Sequence, residues 1–172
     1  MSINVIPYDP EWPRRFEAER AALAETLAPW LIEGVHHTGS TSIPGLAAKP
    51  IIDMMAGVRD LAESRAAIPV LAGLGWAHGR HRPDEAHWFH KPLSGTPTHG
   101  LHLTEPGSAL WRERLTFRDA LRADAGLRDE YQALKLRLAG EHDDVAAYTA
   151  DKREFVARVL AASGVSLRPR PQ

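Results

Sequence analysis

One segment of this 172-residue chain, His37 to Met55, constrains its fold more than any other. An apolar run leads into Gly39 and Ser40, a short loop follows, and a second apolar run carries one acidic residue, Asp53. Glycine lets the backbone approach a ligand closely, and amide N–H groups at such a turn bind phosphate oxygens. A carboxylate on the following strand can hold a divalent cation against those oxygens. The segment therefore predicts two strands that bracket a phosphate-binding turn.

The composition excludes several classes of function. A charged fraction of 25% and a hydrophobic fraction of 44% are ordinary for a globular protein. The net charge of −1 argues against binding of a long nucleic acid, and the absence of cysteine excludes disulfides and thiol catalysis. There is no signal-like N-terminus and no apolar run of the ~20 residues that span a bilayer. We expect a cytoplasmic protein without membrane association, with one domain over residues 1–163 and a flexible tail over residues 164–172.

Helical and strand periodicities predict an α+β fold with a small sheet and a helical C-terminal half. Capping residues and turn signals place the boundaries of the elements. In chain order the predicted elements are a helix from Asp9 to Pro29, strands Leu31–His37 and Pro50–Gly57, a helix from Asp60 to Gly73–Gly75 that is shortened by Pro69, strands near Trp76–His78, Ala86–Lys91 and Thr98–Thr104, and three helices, the first capped by Ser108 and the last by Asp144.

Motifs along nearly the whole chain carry a family resemblance. They are the block His-Thr-Gly-Ser-Thr-Ser-Ile-Pro-Gly-Leu-Ala-Ala-Lys-Pro-Ile-Ile-Asp at residues 37–53, Tyr8–Trp12, Thr98–Leu103, Trp111–Arg122, Tyr131–Lys135 and Tyr148–Phe155. Together they resemble the GrpB family, a nucleotidyltransferase-like group of bacterial proteins. The sequence departs from the family pattern at Gly100, where a histidine is usual, and at Ala120, where an aromatic residue is usual. Some members of the family are fused to a dephospho-CoA kinase.

The resemblance implies a nucleotidyltransferase-like fold, with a small mixed β-sheet flanked by helices. Nucleotidyltransferases carry two carboxylates, two residues apart, on the second strand, and a third on a later strand. Here Ile51 and Asp53 take the first two positions, and His102 takes the third. We therefore expect a reduced catalytic and metal site of Asp53 and His102 that holds one Mn²⁺, Zn²⁺ or Mg²⁺ ion at most, and imidazole suits Mg²⁺ least.

The residues around this site are the candidates for binding a phosphate group. They are Gly39, Ser40, Thr41, Ser42, Lys49, Arg80, Lys91, His99 and Lys152. The first four form the turn, the cations neutralise phosphate charge, and His99 is expected on the face of its strand opposite to His102. A purely structural Gly-Ser turn, a solvated loop lysine and a buried ion pair for Asp53 are the structural alternatives.

The leading functional hypothesis is binding of a small-molecule nucleotide or other phosphate ester in the Gly39–Asp53 cleft, with nucleotidyl transfer as its possible chemistry. The missing acid at Ile51 favours an alternative, a catalytically degenerate member that binds a ligand or partner. A third hypothesis is a His-based phosphoesterase, because a threonine lies two residues after His36 and after His102.

Overall fold

The computed structural model describes residues 3–141 and 145–169. Within these ranges the chain forms one sheet and several helices, joined by short loops and by 3₁₀ turns at Ser40–Ser42 and Glu63–Ala66. The elements in chain order are α1 Trp12–Thr26, β1 Leu31–Thr38, β2 Ile52–Val58, α2 Ala67–Ala72, β3 Ala77–Gly79, β4 Ala86–Lys91, β5 His99–Thr104, α3 Ala109–Ala123, α4 Ala125–Glu141, α5 Val145–Asp151 and α6 Arg153–Ala162.

The five strands form a mixed sheet in the order β1-β2-β5-β4-β3. Strands β2 and β5 run parallel, and the other neighbouring pairs are antiparallel. This architecture confirms the predicted α+β class. In the centre of the sheet, Asp53 of β2 lies opposite Thr38 of β1 and Gly100 of β5. The acid from the motif is therefore flanked by paired strands on both sides.

The two faces of the sheet have different environments, because successive side chains of a strand point to opposite sides. The α1 face carries Ile52, Met54 and Leu101, which pack with α1 and α2 in the main hydrophobic core. The cleft face carries Asp53, Met55, Gly100 and His102 in register with one another. Met55 packs against Leu110 of α3, whereas Asp53, one step closer to the start of β2, lies beside open space.

The predicted strands lie within two residues of the observed ones, but two helices differ from their predictions. Helix α1 begins at Trp12 because the Asp9 carboxylate accepts a hydrogen bond from the Glu11 amide (2.8 Å) and holds the preceding residues in a turn. The helix predicted from Asp60 is interrupted: a 3₁₀ turn precedes the six-residue helix α2, which contains Pro69. Proline lacks the amide hydrogen of a continuous helix, so the segment stays short.

The C-terminal region contains one helix more than predicted. The predicted last helix is two, α5 and α6, which meet at Lys152. Its predicted cap, Asp144, lies outside the described residues. Beyond α6, the Arg168 amide donates to Glu113 Oε1 (2.6 Å) and its guanidinium pairs with Asp84 (2.6 Å). The flexible tail over residues 164–172 stays a prediction. Across the described ranges, no helix is long and apolar enough to cross a membrane.

Candidate functional site

A cleft of about 1180 Å³ opens between the cleft face of the sheet and the C-terminal helices. Seven of the predicted site residues line it: Gly39, Ser40, Thr41, Lys49, Asp53, Arg80 and Lys152. Residues from α3 to α6 and from the segment after α6 complete its walls. Among them are Arg114, Arg118, Tyr131, Lys135, Tyr148, Arg153 and Arg168. The cleft thus brings the motif of the first strands against helices that lie far away in sequence.

Two glycines make room for the Asp53 carboxylate. Gly39 has φ 67° and ψ −177°, a conformation that essentially only glycine adopts. A Cβ atom on Gly39 would lie 2.6 Å from Asp53 Oδ2, and one on Gly100 would lie 2.9 Å from Oδ1. Both distances are too short for a side chain at either position. At Gly100, where a histidine is usual in the family, a side chain would force the Asp53 carboxylate to shift.

Hydrogen bonds within the turn use the hydroxyls of Thr41 and Ser42. Ser42 Oγ donates to the Gly39 carbonyl (2.5 Å), and Thr41 Oγ1 donates to the Ile51 carbonyl (2.9 Å). Because Thr41 donates its own hydrogen, His37 Nε2 donates to Thr41 Oγ1 (2.9 Å). Both hydroxyl residues are buried, and Ser42 does not line the cleft. Ser40 is the hydroxyl of the turn that is partly exposed there.

Helix α3 fixes the turn through its main chain. Arg118 Nη1 donates to the His37 carbonyl (3.2 Å), and Arg122 Nε donates to the Ser42 carbonyl (2.9 Å). The two arginines are four residues apart and therefore lie on one side of the helix. They connect both ends of the turn to α3, so the position of the turn depends on packing between the sheet and this helix.

The N-terminal segment supports the loop that leads to Lys49. Ile6 and Ala48 exchange two backbone hydrogen bonds, of 2.9 and 3.0 Å. Ile3 packs in a small cluster with Leu138 of α4 and Tyr148 of α5. Residues near the start of the chain thus join the loop before β2 to the helices on the far side of the cleft.

Two tyrosine–lysine pairs form the helical wall of the cleft. Lys135 Nζ lies 5.0 Å from the centre of the Tyr131 ring, and Lys152 Nζ lies 4.3 Å from that of Tyr148. In each pair the lysine follows its tyrosine by four residues. Lys49 Nζ lies on the same Tyr148 ring, at 5.3 Å, and Lys135 Nζ also donates to the Ala47 carbonyl. The aromatic rings bring three ammonium groups together, although like charges repel.

Burial shifts the pKa values of these charged groups. It lowers the pKa of Lys135 and that of Lys152 to about 7, and the charges of nearby lysines act in the same direction. Burial raises the pKa of Asp53, while Arg114, Lys49 and Lys152 act against that rise. At neutral pH the two lysines are therefore only partly protonated. An anionic ligand would raise their pKa values and restore their positive charge.

The cleft is positively charged although the protein as a whole is not. Among the residues that the structure describes, nine lysine and arginine side chains line it against three carboxylates, an excess of six positive charges. Within the described part of the chain, three of the nine cations form ion pairs: Arg82 with Glu113 and Glu85, Arg168 with Asp84 and Glu85, and Arg118 with Asp119. Glu85 and Asp119 lie outside the lining, and the excess is four when they are counted. The formal net charge of the whole chain is −1. The positive charge is therefore concentrated in this cleft.

The donor set around Asp53 does not fit a metal centre. No group of three or more His, Cys, Asp or Glu side chains within residues 3–141 and 145–169 is placed to hold a metal ion. His102 Nε2 is hydrogen-bonded to His81 Nδ1 (2.9 Å), and burial lowers the pKa of His102 well below its usual value. Arg114 and Arg82 act in the same direction. Cations thus lie near both residues predicted to hold the metal, Asp53 and His102. The single metal ion stays a prediction that the geometry does not support.

Two predicted phosphate-binding residues lie away from the cleft. Lys91 and His99 face the α1 side of the sheet, because they pair with each other and with Ile52 in register. Lys91 Nζ forms an ion pair with Glu19 of α1, and His99 Nε2 lies 3.9 Å from the same carboxylate. His99 and His102 thus point to opposite faces, as their spacing predicts. The binding of phosphate by Lys91 and His99 stays a prediction that their position on the α1 face does not support.

Side chains of the histidine–threonine pairs of the phosphoesterase hypothesis, His36–Thr38 and His102–Thr104, make contacts within the folded protein. Thr104 Oγ1 donates to the Glu85 carbonyl (2.6 Å). The His36 ring packs edge-on against Trp111, with the ring centres 5.1 Å apart. Neither His36 nor His102 lines the cleft. The geometry therefore gives this hypothesis no support.

Sequence reasoning missed most of the helical wall, including Arg114, Tyr131, Lys135 and Tyr148. One signal was present. A tyrosine followed by a lysine four residues later occurs in α4, at Tyr131–Lys135, and again from α5 to its junction with α6, at Tyr148–Lys152. On a helix that spacing places each lysine beside its own tyrosine ring. The repetition on two helices could have been recognised as one lysine-rich surface.

Comparisons with known proteins match nearly the whole chain. The family profile described as GrpB protein matches residues 2–162. A UPF0157 protein of Halalkalibacterium halodurans is 36% identical over 163 residues, which cover 92% of this chain and 81% of that protein. The crystal structure of the conserved protein GrpB from Enterococcus faecalis superposes with a TM-score of 0.83 at 30% identity, covering 91% of this chain and 94% of that one.

A further relative is longer than this chain. A protein of Mycolicibacterium paratuberculosis named dephospho-CoA kinase is 30% identical over 181 residues. The match covers 89% of this chain and 44% of that protein. The similarity therefore concerns less than half of the longer protein.

Proposed function

This chain belongs to the GrpB family, and we propose that it binds a nucleotide or another phosphate ester in the cleft that contains Gly39 and Asp53. The observation that carries the proposal is the excess of four positive charges, with paired acids counted, at a cleft of a protein whose net charge is −1. Buried lysines that repel one another are unfavourable unless an anion neutralises them. A phosphate ester supplies that charge.

The size and the walls of the cleft suit such a ligand. Its volume of about 1180 Å³ lies just above the ~300–1,000 Å³ that is common for sites of small molecules, so a ligand as large as a nucleotide has enough room. The turn at Gly39 and Ser40 lies on the floor beside Asp53, and Lys49 and Lys152 meet over the Tyr148 ring. A phosphate between these groups would contact the turn and both lysines. The relative named dephospho-CoA kinase agrees with a nucleotide-related ligand.

Binding without transfer is the function that the site favours. Nucleotidyl transfer of the usual kind needs carboxylates that hold two metal ions against the phosphates. Ile51 lines the cleft where the first of these acids is expected, and His102 is hydrogen-bonded to His81. The cleft thus has cations that can bind a phosphate group. In the part of the chain that the structure describes, it lacks the carboxylates that would hold two metal ions against that group. A ligand-binding member of the family accounts for both features.

Calorimetry with two matched variants tests the proposal. ATP, GTP, CoA and inorganic triphosphate are titrated into the wild type, Lys152→Met and Lys91→Met at neutral pH. Each substitution removes one lysine that stacks on an aromatic ring, Lys152 in the cleft and Lys91 on the opposite face. We expect Lys152→Met to weaken binding about tenfold or more, which corresponds to ~1.4 kcal/mol. Lys91→Met should bind like the wild type.

Two results would contradict the proposal. One is the absence of binding of every phosphate compound to the folded wild type. The other is an equal loss of affinity in both variants, because that would show that the ligand does not bind in the cleft. A folded state of each variant is checked by circular dichroism before titration.

A further inference from the structure

The charges that act on Asp53 are those of cations. Arg114, Lys49 and Lys152 each act electrostatically on its carboxylate. They come from three separate parts of the chain, namely α3, the loop before β2 and the junction of α5 with α6. A site that binds phosphates through Mg²⁺ needs oxygen ligands around the ion instead. Here ammonium and guanidinium groups occupy those surroundings.

Oxygen atoms at and beside Asp53 also have close contacts with the protein. The carbonyl of Ile51 accepts the hydroxyl of Thr41. The carboxylate itself lies between the backbones of Gly39 and Gly100, with one oxygen atom close to each. Within the described residues, no group of three or more His, Cys, Asp or Glu side chains that includes Asp53 could hold a divalent ion, and several positive charges lie nearby.

The charge of the helical wall indicates a ligand with more than one negative charge. Lys135, Lys152 and Lys49 act on one another through space, and two tyrosine rings hold them in place. Arg114 is a fourth cation that acts on this group, and Asp53 offsets one of the four positive charges. A single phosphate group, with one to two negative charges, leaves part of the remaining three unbalanced. Two or more linked phosphates match it better.

We infer, on the basis of the proposed function, that the ligand carries a chain of two or more phosphates and binds as the metal-free anion. Lys49, Lys152 and Arg114 supply the positive charge that a metal ion supplies in related chemistry. Mg²⁺ in solution then competes with the protein for the phosphate oxygens. The ligand class is a polyphosphate ester, free of its usual metal.

Calorimetry in two metal conditions tests this inference. Inorganic triphosphate and ATP are titrated into the wild type with a chelator present, and again with excess Mg²⁺. We expect affinity to fall about tenfold or more when Mg²⁺ is added. Tighter binding with Mg²⁺ would overturn the inference and leave phosphate binding intact. No binding in either condition would overturn the proposed function as well.

Length of the phosphate chain is tested with AMP, ADP and ATP in the presence of the chelator. We expect affinity to rise from AMP to ATP. Equal affinity for all three would overturn the assignment of linked phosphates.

A matched pair of arginines on α3 tests the position of the ligand. Arg114 is exposed and lines the cleft, whereas Arg112 is exposed on the same helix and does not. With the chelator present, Arg114→Met should weaken triphosphate binding about fivefold or more, because a charge-assisted contact is lost. Arg112→Met should leave it unchanged. Equal affinities of the two variants would overturn the assignment. Because both positions are exposed, we expect both variants to fold, and circular dichroism checks this before titration.

Discussion

Two lysines on opposite faces of one sheet have the same kind of aromatic neighbour and different electrostatic surroundings. Lys91 lies 4.9 Å from the Trp76 ring on the α1 face, and Lys152 lies 4.3 Å from the Tyr148 ring in the cleft. Lys91 forms an ion pair with Glu19. For Lys152, no carboxylate within the described ranges lies at ion-pair distance, and Lys49 shares its ring. The fold neutralises charge on the α1 face and leaves it unbalanced in the cleft, where a ligand can supply the balance.

The largest expected effect concerns Gly39, whose backbone lies against the Asp53 carboxylate. Gly39→Ala should lower the free energy of unfolding by about 3 kcal/mol, because a side chain there is strained and collides with Asp53 Oδ2. It should also abolish binding of triphosphate. Chemical denaturation measures the stability, and calorimetry measures the affinity.

Substitutions of two other glycines distinguish the two causes of that loss of stability, backbone strain and the collision with Asp53. Gly45→Ala introduces strain at φ +82° without a close contact, and Gly34→Ala introduces neither. In an Asp53→Gly background, which removes the Cβ atom as well as the carboxylate, Gly39→Ala should cost less than in the wild type, and only the strain at φ 67° should remain. An unchanged cost in that background would show that the contact with Asp53 is not the cause.

The next effect is a pH dependence that only the cleft should display. Burial and neighbouring cations lower the pKa of Lys135 and that of Lys152 to about 7. Sulfate keeps its charge over this range, so its affinity reports on the protein. As the pH rises from 6.5 to 9, the lysines lose their protons and sulfate affinity should fall about tenfold. The raised pKa of Asp53 acts in the same direction.

The Lys152→Met variant serves as the control for this pH profile. Its loss of affinity between the same pH values should be smaller than that of the wild type. A wild-type affinity that is independent of pH would contradict the lowered pKa values.

The smallest expected effect concerns stability: substitution of the two lysines should change the free energy of unfolding in opposite directions. Lys152→Met should raise the free energy of unfolding at pH 7 by about 1 kcal/mol, because it removes a buried and repelled charge. Lys91→Met should lower it by a similar amount, because Glu19 loses its partner. Denaturation of both variants with guanidinium chloride, at the same buffer and salt concentration in every sample, measures the two free energies of unfolding.

The pH dependence of that stability follows from the same pKa shift. Between the folded pKa of about 7 and the ordinary value of 10.5, the unfolded state holds a proton on Lys152 that the folded state releases. Stability of the wild type should therefore rise with pH across this window. The gain in Lys152→Met should be full at pH 7 and should vanish near pH 10.5. A gain that persists at high pH would indicate improved packing instead.

The sequence predicted the part of the site that is local in the chain. The strands around the turn, and the positions of Gly39 and Asp53, follow from apolar runs and from glycine in one short segment. The cap at Ser108 was also predictable, and Ser108 Oγ accepts the Trp111 amide (3.1 Å). Each of these features depends on neighbours within a few residues.

The parts that the sequence did not predict depend on distant contacts. Lys91 is as basic as Lys49, and only the pairing of β4 with β5 turns it toward α1. Likewise, the charge of Arg114 carries no information about the sheet that α3 packs against. The division of the last helix at Lys152 was missed because its apolar spacing continues through the break.

The contact of Ile6 with Ala48 has a practical meaning for handling the protein. Ile6 joins the loop before β2, and Ile3 joins the helices across the cleft. Shortening the chain at its start, or placing a bulky affinity tag against these residues, would loosen the approach of Lys49 to Tyr148. Purification handles and fluorescent labels therefore belong away from the N-terminal segment, or must be cleaved before ligands are screened.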